Sequence, residues 1–139
     1  MLIVDASVWV AAANPTDVFA ERSRAFLAVA TQQGEDFRAP SFVEVEVGCA
    51  LARKWQDAEA GRSWAKLIMT NPGIAAIPLD AALLAFAVHL GTRFLLRAGD
   101  ALYVAVAAIY SAPLISWDAE LIRRAGALTP TDWLAKNAV

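Results

Sequence analysis

The stretch Arg97-Ala98-Gly99-Asp100-Ala101-Leu102-Tyr103-Val104-Ala105-Val106-Ala107-Ala108-Ile109-Tyr110-Ser111-Ala112-Pro113-Leu114-Ile115-Ser116-Trp117-Asp118 holds two acids with no charged residue between them. The first, Asp100, opens an apolar helix. The second, Asp118, follows a short apolar run, Leu114 to Ser116, that reads as a strand. An uncharged helix followed by an uncharged strand is expected to be buried, so the two carboxylates mark the ends of a core unit. Ser111, Ala112 and Pro113 turn the chain, and the strand then returns toward the edge from which the helix left. Two carboxylates at one edge of a core need a cation or a proton between them.

The chain start repeats the pattern. Leu2, Ile3 and Val4 form a continuous apolar run typical of a central strand, and Asp5 with Ser7 follows at once. In open parallel sheets, the C-terminal ends of strands are where ligands bind. The plain alternative is that Asp5 only caps the following helix, Val8 to Ala13. Downstream, Val18 to Gln33 reads as a helix with Phe19, Ser23, Phe26, Leu27 and Ala30 on one stripe, and Phe37 to Ala39 as a strand.

Pro40 and Ser41 then start a helix containing Phe42, Val43, Val45, Val47 and Leu51. It carries Glu44 and Glu46, which point in different directions at this spacing. Glu46 is preferred for the common site, because Val43, Val47 and Ala50 flank its side. Cys49 reads as small core packing. Trp55 to Thr70 follows as an amphipathic helix with Trp64, Leu67 and Ile68 inward, entered through Asp57. Ile74 to Leu79 is a strand interrupted by Pro78, and Asp80 caps the helix Ala81 to Leu90. His89 stands alone and is read as solvated or structural. Glu120 to Ala125 is a short helix, Leu128 and Thr129 a final strand, and Thr131 to Ala135 a terminal turn of helix. Strands alternating with helices indicate a three-layer α/β/α sandwich around a mostly parallel sheet of four or five strands.

Composition bounds the rest. At 139 residues the chain suits one domain, residues 1–139. Hydrophobic residues make up 58%, above the ~45 to 50% of an ordinary soluble domain, which calls for a thick core or an apolar surface patch. No uncharged run reaches the ~20 residues needed to span a membrane, and nothing resembles a signal peptide, so a cytoplasmic location is expected. The one cysteine excludes an internal disulfide and a cysteine zinc cluster. Twelve basic residues stand against 14 acidic. Four of those acids belong to the candidate site, so the remaining surface is slightly positive. Arg53, Lys54, Arg62 and Lys66 fall in one helical region and Arg93 and Arg97 in another, and ordinary solvated faces explain each equally well.

Asp5, Glu46, Asp100 and Asp118 without histidine or cysteine partners form an oxygen-only set that suits Mg²⁺ or Mn²⁺. Such an ion lowers the pKa of a bound water and bridges phosphate oxygens, so phosphodiester hydrolysis is the leading chemistry. The runs Leu-Ile-Val-Asp-Ala-Ser from Leu2, Ala-Pro-Ser-Phe-Val-Glu-Val-Glu-Val from Ala39, Leu-Arg-Ala-Gly-Asp-Ala-Leu-Tyr-Val-Ala-Val-Ala from Leu96 and Ala-Pro-Leu-Ile-Ser-Trp-Asp from Ala112 resemble, in order and spacing, the PIN-domain ribonucleases of the VapC toxin type. The resemblance covers essentially the whole chain. It implies a PIN-like fold and a metal-dependent endoribonuclease acting on RNA, inhibited by a cognate antitoxin and usually a homodimer. It assigns Asp5, Glu46, Asp100 and Asp118 as catalytic and metal-binding acids, with Ser7 as the accompanying hydroxyl. Gly99 departs from the pattern, where a larger apolar residue is common, and is expected to loosen that helix start.

Three other functions remain open. A catalytically inactive PIN-like binding protein would keep the acids without activity. A phosphoacceptor domain needs a lysine after a strand near the site, and none is present; a dehalogenase-type phosphatase needs an acid where Ser7 stands.

Overall fold

The computed structural model describes residues 1–137. Four apolar runs become strands: β1 Leu2–Val4, β2 Phe37–Pro40, β3 Ile74–Ile77 and β4 Leu114–Ile115. β3 ends before Pro78, which has no N–H with which to continue a ladder. Among the described residues, eight helices connect and follow them: α1 Ala6–Ala13, α2 Ala20–Gln32, α3 Phe42–Trp55, α4 Ala58–Met69, α5 Ala81–Phe94, α6 Ala98–Tyr110, α7 Ala119–Ala125 and α8 Pro130–Asn137. Helix α2 begins two residues later than the periodicity predicts. Asp17 holds the preceding turn, its carboxylate accepting from Phe19 N–H at 2.8 Å and its carbonyl from Ala20 N–H at 3.0 Å.

The strands lie in the order β3-β2-β1-β4, and every pairing is parallel. The expected last strand shrinks to a single bridge between Ile115 and Leu128. Helices cover both faces of the sheet, and β2 shows how. Phe37 meets Trp9 of α1 and Phe26 of α2, whereas Arg38, one residue on, lies over the Tyr110 ring of α6 on the opposite face. Because all strands are parallel, their C-terminal ends share one edge. β1 and β4 are neighbours, so Asp5 and the Ser116-Trp117-Asp118 segment meet there.

Several expected burials fail, each for a geometric reason. The buried stripe of α3 is Val43, Val47 and Leu51, which turns Cys49 outward; it is exposed rather than core, and Val45 is 55% exposed. On α4 the buried stripe is Gly61, Ala65 and Ile68, so Leu67 points away and is 58% exposed. Helix α6 is buried only from Ala101 to Val106. In its last turns Tyr110 still meets the sheet at Arg38, but Ile109 turns to solvent and is 52% exposed. The apolar excess therefore divides between a core and a surface, and the surface share includes Leu84, Val88 and Leu95 on and just after α5. Among the described residues, no single helix is long and apolar enough to cross a membrane.

Helices α3 and α4 approach each other across glycines. A Cβ added at Gly61 would lie 2.5 Å from the Gly48 carbonyl oxygen and 2.7 Å from Ala52 Cβ, so the two helices would have to move apart. Gly61→Ala gains about 1 kcal/mol of helix propensity but meets backbone atoms that cannot rotate away. A net destabilisation of about 1 to 2 kcal/mol is expected, within the overpacking range. Chemical denaturation checks it, and a variant as stable as wild type would contradict the close approach.

Candidate active site

Asp5 is the most enclosed of the acids, 5% exposed. Its Oδ2 accepts from Ser7 Oγ–H at 2.6 Å, from Ser116 Oγ–H at 2.8 Å and from Ser7 N–H at 3.4 Å. Asp5 is also the N-cap of α1, so capping this helix and lining the cavity described below are compatible. Burial raises its pKa above the ordinary carboxylate range, and the serine hydrogen bonds pull in the other direction.

Asp118 likewise caps α7. Its Oδ1 accepts from Glu120 N–H at 2.9 Å and Leu121 N–H at 3.1 Å, while Oδ2 takes Arg97 Nη2 at 2.7 Å. Arg97 also reaches Asp100 Oδ2 at 3.1 Å, so one guanidinium spans the two acids that the 97–118 stretch carries. Asp100 sits in the first turn of α6, where the helix dipole favours its charge. Burial nonetheless raises its pKa; Arg97 opposes the rise, and the neighbouring Asp118 and Asp5 charges add to it.

Glu46 enters from α3. The stripe that buries Val43 and Val47 carries Glu46 along its edge, whereas Glu44 is exposed on the other side. Glu46 Oε1 accepts from the Tyr103 hydroxyl at 2.8 Å. Tyr103 is fully buried, and burial beside Glu46 and Asp5 drives its pKa upward, so its hydroxyl keeps the proton it donates to Glu46. Glu46 itself is pushed up to about 7, chiefly by burial and further by Asp5 and Asp100, against the pull of the Tyr103 hydrogen bond.

These groups share one cavity of about 350 Å³, lined by all four acids together with Ser7, Phe42, Arg97 and Gly99. Gly99 acts here rather than on the helix start. A Cβ at this position would come within 3.2 Å of the Phe42 ring and 3.5 Å of Glu46 Oε2, so the glycine keeps the wall open beside the glutamate. His89 is exposed on α5 and takes no part.

The donor set is hard oxygen throughout; burial pushes Asp5, Glu46 and Asp100 toward protonation, and neighbouring carboxylates add to the push on Glu46 and Asp100, which is a demand for positive charge. A divalent cation fits that demand. As the side chains stand, no three acids among the described residues converge tightly enough to hold an ion. Tyr103 engages Glu46, and Arg97 supplies the counter-charge at Asp100 and Asp118. An ion shared by these acids would compete with Arg97 for Asp100 Oδ2 and Asp118 Oδ2.

Three contributors escape the sequence reading. Arg97, grouped with Arg93 as either a basic patch or an ordinary solvated face, is the site's cation. It lies three residues before Asp100, a spacing that pairs charges on a helix face, and that signal was available. Ser116 precedes Asp118 by two residues and directly follows the buried strand β4, as Ser7 follows Asp5 by two; the symmetry is visible only once β1 and β4 are neighbours. Tyr103 is the hydroxyl one turn beyond Asp100 in an otherwise apolar helix.

No curated protein matches the sequence. Among solved structures, the chain superimposes on Mycobacterium tuberculosis VapC20, a sarcin-ricin loop cleaving toxin, with a TM-score of 0.79 at 19% identity, covering 92% of this chain and 97% of that one. VapBC2 from Rickettsia felis, bound to a DNA fragment from its promoter, gives 0.69 at 15% identity, covering 92% and 96%. A toxin-antitoxin complex from Klebsiella pneumoniae gives 0.63 at 16%, covering 94% and 98%. By sequence, residues 2–127 match the PIN domain, and the chain belongs to that family.

Proposed function

We propose that the chain, acting as one domain over residues 1–139, is a Mg²⁺- or Mn²⁺-dependent endoribonuclease and the toxin of a toxin-antitoxin pair in the cytoplasm. The observation that carries this reading is the shared cavity of Asp5, Glu46, Asp100 and Asp118 at the C-terminal edge of the parallel sheet. Those four acids would hold the ion. When bound, it supplies an activated water and neutralises charge on the phosphate.

The chain's own groups do the rest. Ser7 and Ser116 fix the Asp5 carboxylate through two hydroxyl donors on one oxygen, so Asp5 keeps a single orientation. Glu46, with its pKa near 7, is suited to taking a proton at neutral pH, and Tyr103 fixes which of its oxygens remains free. Arg97, freed from Asp100 and Asp118, is placed to meet a phosphate oxygen.

The partner implied is a small cognate antitoxin, as in the Klebsiella pneumoniae toxin-antitoxin complex. A homodimer is also implied, and the exposed Leu84, Val88 and Leu95 offer apolar surface to cover. The pairing of Arg97 with two of the acids favours a second reading, an inactive PIN-like binding protein, in which the arginine permanently replaces the ion.

The test is cleavage of RNA by purified protein with Mg²⁺, Mn²⁺ or chelator. Cleavage is expected only with metal, leaving 5′-phosphate and 3′-hydroxyl ends, because water and not the 2′-hydroxyl is the nucleophile. A 2′,3′-cyclic phosphate would overturn the mechanism. Absence of both cleavage and calorimetric Mn²⁺ binding would favour the inactive reading.

A further inference from the structure

Beside the acid cavity stands an aromatic pair that hydrolysis does not use. Phe19 and Trp117 stack with ring centroids 4.1 Å apart and 8° between their planes. Trp117 belongs to the segment that carries the site. Its backbone N–H donates to Ser7 Oγ at 3.0 Å, the same hydroxyl that donates to Asp5, and the next residue is Asp118. Its indole N–H donates to Ser23 Oγ at 2.8 Å, and Ser23 is fully buried. Phe19 is anchored through its backbone, donating to Asp17 Oδ1 at 2.8 Å and accepting from Ser23 N–H at 2.9 Å.

Neither ring is placed by chance, yet the pair stays in contact with solvent. Phe19 is 38% exposed and its neighbour Val18 84% exposed. Phe26, on the same face of α2, is fully buried, so this helix sends aromatic rings inward where the core takes them. Arg22 follows Phe19 by three residues and so shares its face. Its guanidinium donates to Thr131 Oγ1 at 3.1 Å and forms none of the ion pairs found among the described residues.

We propose that the Phe19–Trp117 pair is a nucleobase-stacking platform for the RNA strand that enters the acid cavity, an inference that rests on the ribonuclease reading above. A flat π-face accepts any base. A platform held by hydrogen bonds before the ligand arrives loses little freedom on binding. Arg22 supplies positive charge for the phosphate beside the stacked base. The shared Ser7 hydroxyl joins platform and cavity, so a base on Phe19 sits at the site's margin and selects among substrates by stacking strength without touching the reacting phosphate.

The experiment measures binding without cleavage, and so is independent of the nuclease reading. Fluorescence anisotropy follows a short labelled single-stranded RNA of mixed sequence and a base-free ribose-phosphate strand of equal length, both in excess chelator at low salt. Wild type is expected to bind the RNA at least about tenfold more tightly than the base-free strand, the scale of one stacked base. Phe19→Ala should abolish most of that difference, and Phe19→Tyr should keep it. Phe19→Leu, which still covers Trp117 but has no flat face, should behave like Phe19→Ala, and its melting temperature shows whether the fold is intact.

Equal wild-type binding of the two strands, no binding of either, or a folded Phe19→Leu that binds RNA like wild type would each overturn the platform. Base-dependent binding that persists while no metal supports cleavage would leave the platform standing and remove the nuclease.

Discussion

Glu46→Gln is expected to lower the rate of metal-dependent RNA cleavage by at least about 10²-fold, the range for loss of a positioned carboxylate, while Glu44→Gln changes it by less than about twofold. The two residues are neighbours on one helix, but only Glu46 lines the cavity with the other acids. Glu44 is exposed and borders the groove between α3 and α4 instead. The substitution keeps the size of the side chain and leaves an amide oxygen for the Tyr103 hydroxyl, so the fold is expected to survive and the loss to fall on kcat. The measurement is steady-state cleavage of a labelled RNA by the three proteins at equal Mg²⁺. Near-silence of Glu46→Gln with collapse of Glu44→Gln would move the functional carboxylate to the α3–α4 groove and take the cavity out of the mechanism.

In chelator, the protein is expected to lose stability as the pH rises from 5 to 8. Glu46 is held near pKa 7 in the folded chain against an ordinary value of 4.5. Between those values the folded state keeps a proton that the unfolded state has released, so raising the pH draws the equilibrium toward unfolding until the folded carboxyl has ionised. Asp5 and Asp100 are also raised by burial and act in the same direction. After allowance for solvent screening of this half-buried group, Glu46 alone accounts for about 1 to 2 kcal/mol. For a chain of this size that is roughly 3 to 8 °C in melting temperature.

Glu46→Gln should flatten the pH profile. Asp100→Asn should raise the melting temperature at pH 8 by a smaller amount, because Arg97 already offsets much of the Asp100 charge. Added Mg²⁺ should lift wild type more than either variant, since a ligand stabilises the state that binds it in proportion to its affinity. A melting temperature that is flat or rises from pH 5 to pH 8 in chelator would show that these carboxyls are not crowded as described.

Short-range features of the chain were readable without coordinates. An acid directly after a three-residue apolar run must emerge at the end of a buried strand, which located Asp5, and the same logic located Asp118 behind Leu114 and Ile115. Helical periodicity was enough to separate Glu46 from Glu44, because a residue's angle around a helix axis depends only on its neighbours. The alternation of strands and helices led to a parallel sheet, since crossover connections leave few other arrangements.

What the tertiary structure alone decided concerns partners far apart in sequence. The pairing of β1 with β4 brings Ser116 onto Asp5 across 111 positions, and no local pattern specifies which strand ends up beside which. Tyr103 on Glu46 and Trp117 on Phe19 depend on how whole helices seat against the sheet edge. Burial failed for the same reason at Cys49, Leu67 and Ile109. Periodicity says which residues share a face of a helix, but only packing against the remaining elements determines how far along that face the protein extends before water begins.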